Sequence, residues 1–374
     1  HQVVRRQRQM CIRDRQSIWE GKVKYNLSES GVHPGSIKSL FDSEMIDIIE
    51  NTELTYGHTE GSPELRSVIS KIYKGSKPDN IQVYNGSSEA NFVALMTLIE
   101  PNDEVICVLP NYMQIHGLAK ALGANIKTIN TNETTDWKIN IQELEDSVTD
   151  KTKLITICNP NNPTGSILDK QSINEIGSVA EKVGAWILAD EVYRGSELDG
   201  QECESFWSLS YDRKIINCGL SKAYGLPGLR VGWTISNEKF IKNCWANHDY
   251  TSIAIGRLSD VIASYVLRKE NRSAILNKTR SSLNKNLSIF KDWSEQFNDK
   301  FKYIEPKAGA MIFVNYDWNI NSTKLVDRIR NEVSVLLVAG DWYGYDHYLR
   351  FGYGAKEKDL ISALEIISPV LKTL

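Results

Sequence analysis

Lys222 follows the apolar run Ile215-Ile216-Asn217-Cys218 and sits within the segment GLSKAYGLPGLRVGW, residues 219–233. A lysine at the end of a buried strand is costly unless its amine is used. Partial burial favours the neutral amine, the form that attacks a carbonyl carbon to make a Schiff base. Arg230, eight residues on, carries a planar fork suited to an anion such as a phosphate. Taken alone, the pair is equally compatible with a solvated lysine at a strand end.

Other apolar runs end on groups of the same kind. The run 104–109 (EVICVL) leads into Pro110-Asn111-Tyr112, the run 154–158 into NPNNPTG, and the run 186–189 into Asp190-Glu191-Val192-Tyr193. In an open parallel sheet, ligands gather beyond the carboxyl ends of the strands. Asn162, Asp190, Tyr193 and Lys222 then converge on one crevice as an amide, a carboxylate, a phenol and an amine. Upstream, Ser87 and Ser88 lead into an apolar helix predicted over 90–99. Small residues there expose backbone N–H groups at the positive end of the helix dipole, which suits a phosphate. Tyr112 adds an aromatic ring at the same edge.

Positioning these groups requires strands in register. Between the runs 154–158 and 186–189, the segment 169–183 places Ile173, Ile176, Val179, Ala180 and Val183 on one helical face. Asp169 is a suitable N-cap and Gly184 a suitable stop. This strand–helix–strand unit, repeated, predicts an α/β fold with a mostly parallel sheet between helices. Beyond about residue 280, a long polar helix over 273–293 precedes strands at 310–315 and 348–353, the pattern of a smaller α+β domain. The expected division is an N-terminal segment at 17–40 joining the small domain, a large domain at 41–280 and a small C-terminal domain at 281–374.

Composition narrows the classes. The 374 residues are 41% hydrophobic, enough for a large core or two lobes, and a net charge of −3 provides no global attraction to nucleic acid or an anionic membrane. No run approaches the roughly 18 apolar residues of a membrane span. The cysteines (Cys11, Cys107, Cys158, Cys203, Cys218, Cys244) are scattered, several within predicted strands, which suits free thiols in a reducing cytoplasm. The histidines show no metal-binding spacing, so no metal is expected. Residues 1–16 (HQVVRRQRQMCIRDRQ) hold five arginines and one acid. We read them as an artefactual or disordered basic arm.

The motifs NPNNPTG, DEVY, SKAYGLPGLRVGW and LRFGYG, in that order, resemble those of the class I/II aminotransferases. These are fold-type I pyridoxal 5′-phosphate (PLP) enzymes of the aspartate aminotransferase superfamily, and the resemblance runs from about Tyr25 to the C-terminus. It implies that Lys222 joins the cofactor as a Schiff base and shuttles protons between substrate Cα and the cofactor. Asp190 would pair with the pyridine nitrogen, while Asn162 and Tyr193 would hydrogen-bond the phenolic oxygen. Tyr112 would stack on the ring, and Ser87, Ser88, Ser221 and Arg230 would hold the phosphate. Tyr56, in Leu54-Thr55-Tyr56-Gly57, would reach the phosphate of a neighbouring subunit, which implies a homodimer. Arg350 would grip the substrate α-carboxylate with two parallel hydrogen bonds.

Departures from the family pattern are local. Many relatives carry serine or threonine three residues before the lysine, where this chain has Gly219, so a thinner phosphate cradle is expected. Relatives also place a substrate-packing glycine just before an acid–proline pair. Here Gly31 is followed by Val32-His33-Pro34, one residue longer, which makes Gly31 and His33 substrate-contact candidates. That S-G-V-H-P string is similar to capreomycidine synthase, a relative that cyclises a hydroxylated arginine. The expected activity is ping-pong transfer of an amino group from an L-amino acid to a 2-oxo acid. The alternative is a PLP-dependent lyase or cyclase acting on a hydroxylated guanidino amino acid. Asn111, Met113, His116, His248 and Tyr250 are further pocket candidates. A nicotinamide dehydrogenase would need a G-x-G-x-x-G turn after the first strand, and a serine hydrolase G-x-S-x-G; neither occurs. A binding protein on an inactive fold would not need Lys222, Asp190 and Arg230 together.

Overall fold

The computed structural model describes residues 12–374, so the first eleven residues of the basic arm lie outside the described residues. The remainder of that arm enters helix α1 (Ile12–Trp19), which starts well before the expected boundary at residue 17. Trp19 explains part of its anchorage, because the Arg330 guanidinium stacks 4.0 Å from the ring centroid.

The large sheet contains β1 (Ile81–Tyr84), β2 (Glu104–Leu109), β3 (Asn125–Asn130), β4 (Thr152–Cys158), β5 (Trp186–Asp190), β6 (Lys214–Gly219) and β7 (Gly232–Ile235). Their order is β1-β7-β6-β5-β4-β2-β3. Only β7 runs against its neighbours; β2 to β6 pair in parallel. Alternation along each strand supplies both faces. Ile155, Ile157, Ile187, Ala189 and Ile216 meet one helical layer, whereas Leu154, Leu188 and Ile215 meet the other. Each fully buried Ile or Leu contributes about 1.5–3 kcal/mol relative to exposure.

Helix α2 (Ser87–Leu98) lays Ala90, Val93 and Ala94 on the second face. Helix α3 (Lys170–Val183) covers the first with Ile173, Ile176 and Val179. The Asp169 side chain caps α3 by accepting the Ser172 N–H at 2.8 Å, and Gly184 ends it at φ +69°. Both agree with the expectation from sequence.

Helix α4 (Lys269–Ser294) joins the lobes: Leu276 belongs to the large core, Leu283 and Phe290 to the small one. The small lobe holds an antiparallel sheet of β8 (Phe301–Lys302), β9 (Met311–Tyr316), β10 (Val338–Ala339) and β11 (Tyr348–Gly352), in the order β10-β11-β9-β8. Helices α5 (Ser322–Val333) and α6 (Glu357–Lys372) pack against it. The N-terminal segment is stitched to this lobe. Tyr25–Asn26 pairs in parallel with Val335–Leu336, and the Gly352 N–H donates to the Leu27 carbonyl at 2.7 Å.

Candidate active site

At the carboxyl edge of the large sheet lies a cavity of about 590 Å³. Strand ends deliver its walls: Asn162 follows β4, Asp190 closes β5, Ser221 and Lys222 follow β6, and Tyr112 follows β2. Ser87 and Ser88 enter at the start of α2, Tyr193 and Arg230 from loops, and Arg350 from β11 of the small lobe. All ten line the same space.

Asp190 is 4% exposed at the cavity floor. Its carboxylate accepts the Val192 N–H at 3.2 Å and the Asn91 amide at 3.3 Å. Asn91 accepts in turn from Asn217, which accepts from the Thr234 hydroxyl, so a buried hydrogen-bonded chain orients the carboxylate. Burial nevertheless pushes its pKa up to about 6, with those hydrogen bonds and the Lys222 charge opposing. A buried carboxylate of this kind is best satisfied by a cationic partner.

The opposite end of the cavity is built for an anion. Arg230 reaches the Ser221 hydroxyl at 3.4 Å and the Asn85 carbonyl at 3.4 Å, bridging the loop after β6 and the loop before α2. Its backbone sits at φ +51°, a left-handed conformation that costs an arginine about 1 kcal/mol and aims the side chain. Two glycines let this end close up. A Cβ on Gly86 (φ +94°) would strike the Arg230 guanidinium, and one on Gly232 would strike the Ser87 backbone nitrogen. Gly219 is crowded in the same way. A Cβ there would lie 2.9 Å from the Val231 carbonyl oxygen.

Arg350 is 2% exposed. Its Nη1 donates to Asn162 Oδ1 at 2.8 Å and to the Tyr343 hydroxyl at 2.6 Å, and its Nη2 donates to the Ser28 carbonyl. Its Nε is buried without a hydrogen-bond partner, an unfilled donor beside the cavity. The Tyr193 hydroxyl donates to Ser30 Oγ at 2.8 Å, and burial raises the pKa of that phenol. Lys222 Nζ lies 3.8 Å from Glu29 Oε2.

Several expected residues sit elsewhere. Tyr56 is 89% exposed and does not line the cavity. Gly31 and His33 border an adjoining space of about 360 Å³ instead. A Cβ on Gly31 would lie 3.1 Å from the Ser221 carbonyl oxygen, so this glycine lets the N-terminal segment pack against the lysine loop. The His33 side chain is solvent-facing, while its N–H is bound to the Gly354 carbonyl. Asn111, Met113, His116, His248 and Tyr250 line neither space. His248 is buried on Glu89 and Ser252, and Tyr250 projects into solvent. Conversely, Gln16, Glu29 and Ser30 line the main cavity, and Tyr343 and Asn91 orient its residues, none of them expected from sequence.

The donor set fits PLP. Hydroxyls, a helix start and a guanidinium suit a phosphate; a buried carboxylate suits a protonated ring nitrogen; an amine between them suits an aldehyde. The chain belongs to the aminotransferase class I and II family, a PLP-dependent family whose sequence profile matches residues 39–367. It is 26% identical to capreomycidine synthase of Streptomyces vinaceus, covering 94% of this chain and 91% of that protein. It is 29% identical to a probable aspartate aminotransferase of Methanocaldococcus jannaschii, covering 85% of each. Among solved structures, a PLP-dependent aminotransferase from Streptococcus suis superposes with a TM-score of 0.92, at 32% identity and 98% coverage of both chains. The aspartate aminotransferase of Thermotoga maritima superposes at 0.84, with 25% identity and coverage of 94% and 93%.

Proposed function

We propose that this chain moves the amino group of an L-amino acid to a 2-oxo acid in two half-reactions that share one cavity. The observation that carries this reading is the meeting of Lys222, Asp190, Arg230 and Arg350 around a single space. When bound, PLP supplies an electron sink that stabilises negative charge at the substrate Cα. Ser87, Ser88, Ser221 and Arg230 would hold its phosphate, Asp190 would keep its ring nitrogen protonated, and Tyr112 would lie against it. Asn162 and Tyr193 would bind its phenolic oxygen. Lys222 would hold the cofactor and accept the proton removed from Cα. Arg350 receives the α-carboxylate, with Gly31 packing behind the lysine loop. The cavity is shared, so the first product leaves before the acceptor enters. Tyr56 completes the phosphate site of a second subunit in a homodimer. The free thiols among the described residues accord with a cytoplasmic setting.

Borohydride reduction followed by peptide mass spectrometry tests the anchor: a phosphopyridoxyl group is expected on Lys222 and should be absent in Lys222→Ala. Half-reactions with single amino acids, followed by visible absorption and product analysis, test the transfer. Oxo acid release that leaves the enzyme competent to aminate a second oxo acid supports the reading. A cyclised or deaminated product with no amino transfer would replace it with the lyase or cyclase reading.

A further inference from the structure

We propose that two buried amides outside the cavity, Asn91 and Asn217, decide where the proton shared by Asp190 and the cofactor ring nitrogen sits. They form a one-way relay of hydrogen-bond donors that holds Asp190 as a carboxylate, which makes both of them positioning residues. This rests on the assignment of Asp190 to the ring nitrogen under the proposed function and adds the groups that govern its protonation. Register brings the relay together. Asp190 on β5 lies opposite Asn217 on β6, and Asn217 lies opposite Thr234 on β7. Two residues earlier on the same face, Leu188 and Ile215 pack in the apolar layer that includes α2. In β5 and β6 this rung is therefore polar where the same face is otherwise apolar, and Asp190, Asn217, Thr234 and Asn91 are all buried.

Amide orientation gives the relay its direction. Gln114, at the start of the helix Gln114–Ala121, donates through Nε2 to the Ser88 carbonyl at 2.8 Å, which turns its Oε1 towards Asn91. Asn91 Nδ2 donates to that oxygen at 3.2 Å and to Asp190 Oδ2 at 3.3 Å. Asn91 Oδ1 accepts from Asn217 Nδ2 at 2.7 Å, and Asn217 Oδ1 accepts from the Thr234 hydroxyl at 2.6 Å. Turning the Asn91 amide over would set its oxygen against the Asp190 carboxylate and the Gln114 oxygen, and its nitrogen against that of Asn217. Both neighbours thus lock the donor end of Asn91 onto Asp190.

Buried amides cost stability unless every polar atom is matched, so an apolar rung would be the easier packing. Here the links are matched one by one and end on the carboxylate at the cavity floor. A neutral Asp190 would donate to an unprotonated ring nitrogen, whereas an ionised one accepts from a protonated nitrogen. The two arrangements differ by the transfer of one proton between the same two atoms. A donor aimed at Oδ2 stabilises the anion and so favours the second. Burial works in the opposite direction, and the Val192 N–H and the Asn91 amide counter it. The other titratable groups facing Asp190 are Lys222 after β6, Cys158 at the end of β4, and Glu191 and Tyr193 on its own loop.

Carbon NMR of protein labelled at the aspartate carboxyls, stripped of cofactor, titrates Asp190 directly, with Asp190→Asn identifying its signal. Asn91→Leu is expected to raise the proton affinity of Asp190 about tenfold, and Asn217→Leu to raise it by a smaller factor. Ile215→Val, which trims the same face without touching the relay, should leave it unchanged. Asn217→Leu keeps the direct donor to Asp190 in place and carries the comparison if Asn91→Leu does not fold. Nitrogen NMR of ring-labelled PLP bound to the protein should report a protonated nitrogen in the wild type and a partly deprotonated one in Asn91→Leu at the same pH. An Asp190 titration unchanged in the relay variants, or moved as far by Ile215→Val, would overturn the proposal. An unprotonated ring nitrogen in the wild type, with the Asp190 titration moved as expected, would instead overturn the assignment of Asp190 to that nitrogen and leave the relay on Asp190 standing.

Discussion

Asp190 accepts two hydrogen bonds, yet burial still lifts its carboxyl from 3.8 to about 6. Its neighbour Glu191, also buried, is pushed up to about 7. An acid whose folded pKa exceeds its unfolded value binds more protons in the folded state between the two. The stability it contributes is therefore greatest at low pH and is lost as pH rises from about 4 through 6. For Asp190 the cost above that window is on the order of 3 kcal/mol in protein stripped of cofactor, and the cationic ring nitrogen of the proposed cofactor would offset it. Asp190→Asn should thus raise the melting temperature of the stripped protein near pH 8 and raise it only about half as much near pH 5. Thermal melts at the two pH values decide; equal shifts at both would refute the burial argument. Residues at strand ends, such as Asp190, Asn162 and Lys222, are legible in sequence because each closes an apolar run. Asn91, Tyr343 and Glu29 are not. Asn91 is a polar residue inside an apolar helix, Tyr343 closes a short turn of the other lobe, and Glu29 belongs to a separate segment. Only tertiary packing brings them to the site.

At the level of elements, the proposed phosphate end depends on how closely β7 approaches the start of α2. Gly232 is the contact point, since a Cβ there would overlap the Ser87 nitrogen. Gly232→Ala must push strand and helix apart, at a cost of about 1–3 kcal/mol typical of overpacking. The Ser87 and Ser88 groups then move away from Arg230. Fluorescence titration should show PLP affinity reduced at least about tenfold with far-UV circular dichroism unchanged. Wild-type affinity in this variant would show that the close approach is dispensable. The parallel strands β2, β4, β5 and β6 were readable from their continuous apolar runs, whose near-uniform burial matches a sheet covered on both faces, whereas the edge strand β3, polar and half exposed, was not. The antiparallel return of β7 was not, because its four residues lie in a glycine-rich stretch with weak strand character. Helix α1 was hidden for a different reason: its mean composition is polar and arginine-rich, and its anchorage comes from Trp19 against a distant arginine.

For the molecule as a whole, the two-lobed architecture follows from two separate apolar periodicities joined by one long helix, and that much was legible. What sequence alone does not convey is which residues remain for a partner. Leu54, Tyr56 and Tyr250 are large, apolar and more than 80% exposed in one subunit. Such side chains are expected to be covered in the proposed homodimer. Mixing two inactive variants tests whether Tyr56 serves the other subunit. A hybrid of Lys222→Ala with Tyr56→Ala retains one site with both residues intact, so unfolding and refolding the mixture should recover activity that neither parent shows. No recovery, with hybrids demonstrated by native mass spectrometry, would place Tyr56 outside the neighbouring site. Arg350 has a further consequence at this scale. Its guanidinium is tied to Asn162, Tyr343 and Ser28, three parts of the chain that only the finished fold brings together. Ordering a free arginine costs roughly 1.5–2 kcal/mol of side-chain entropy. Here that loss occurs once, when the protein folds, so the substrate carboxylate of the proposed reaction would meet a guanidinium already held still.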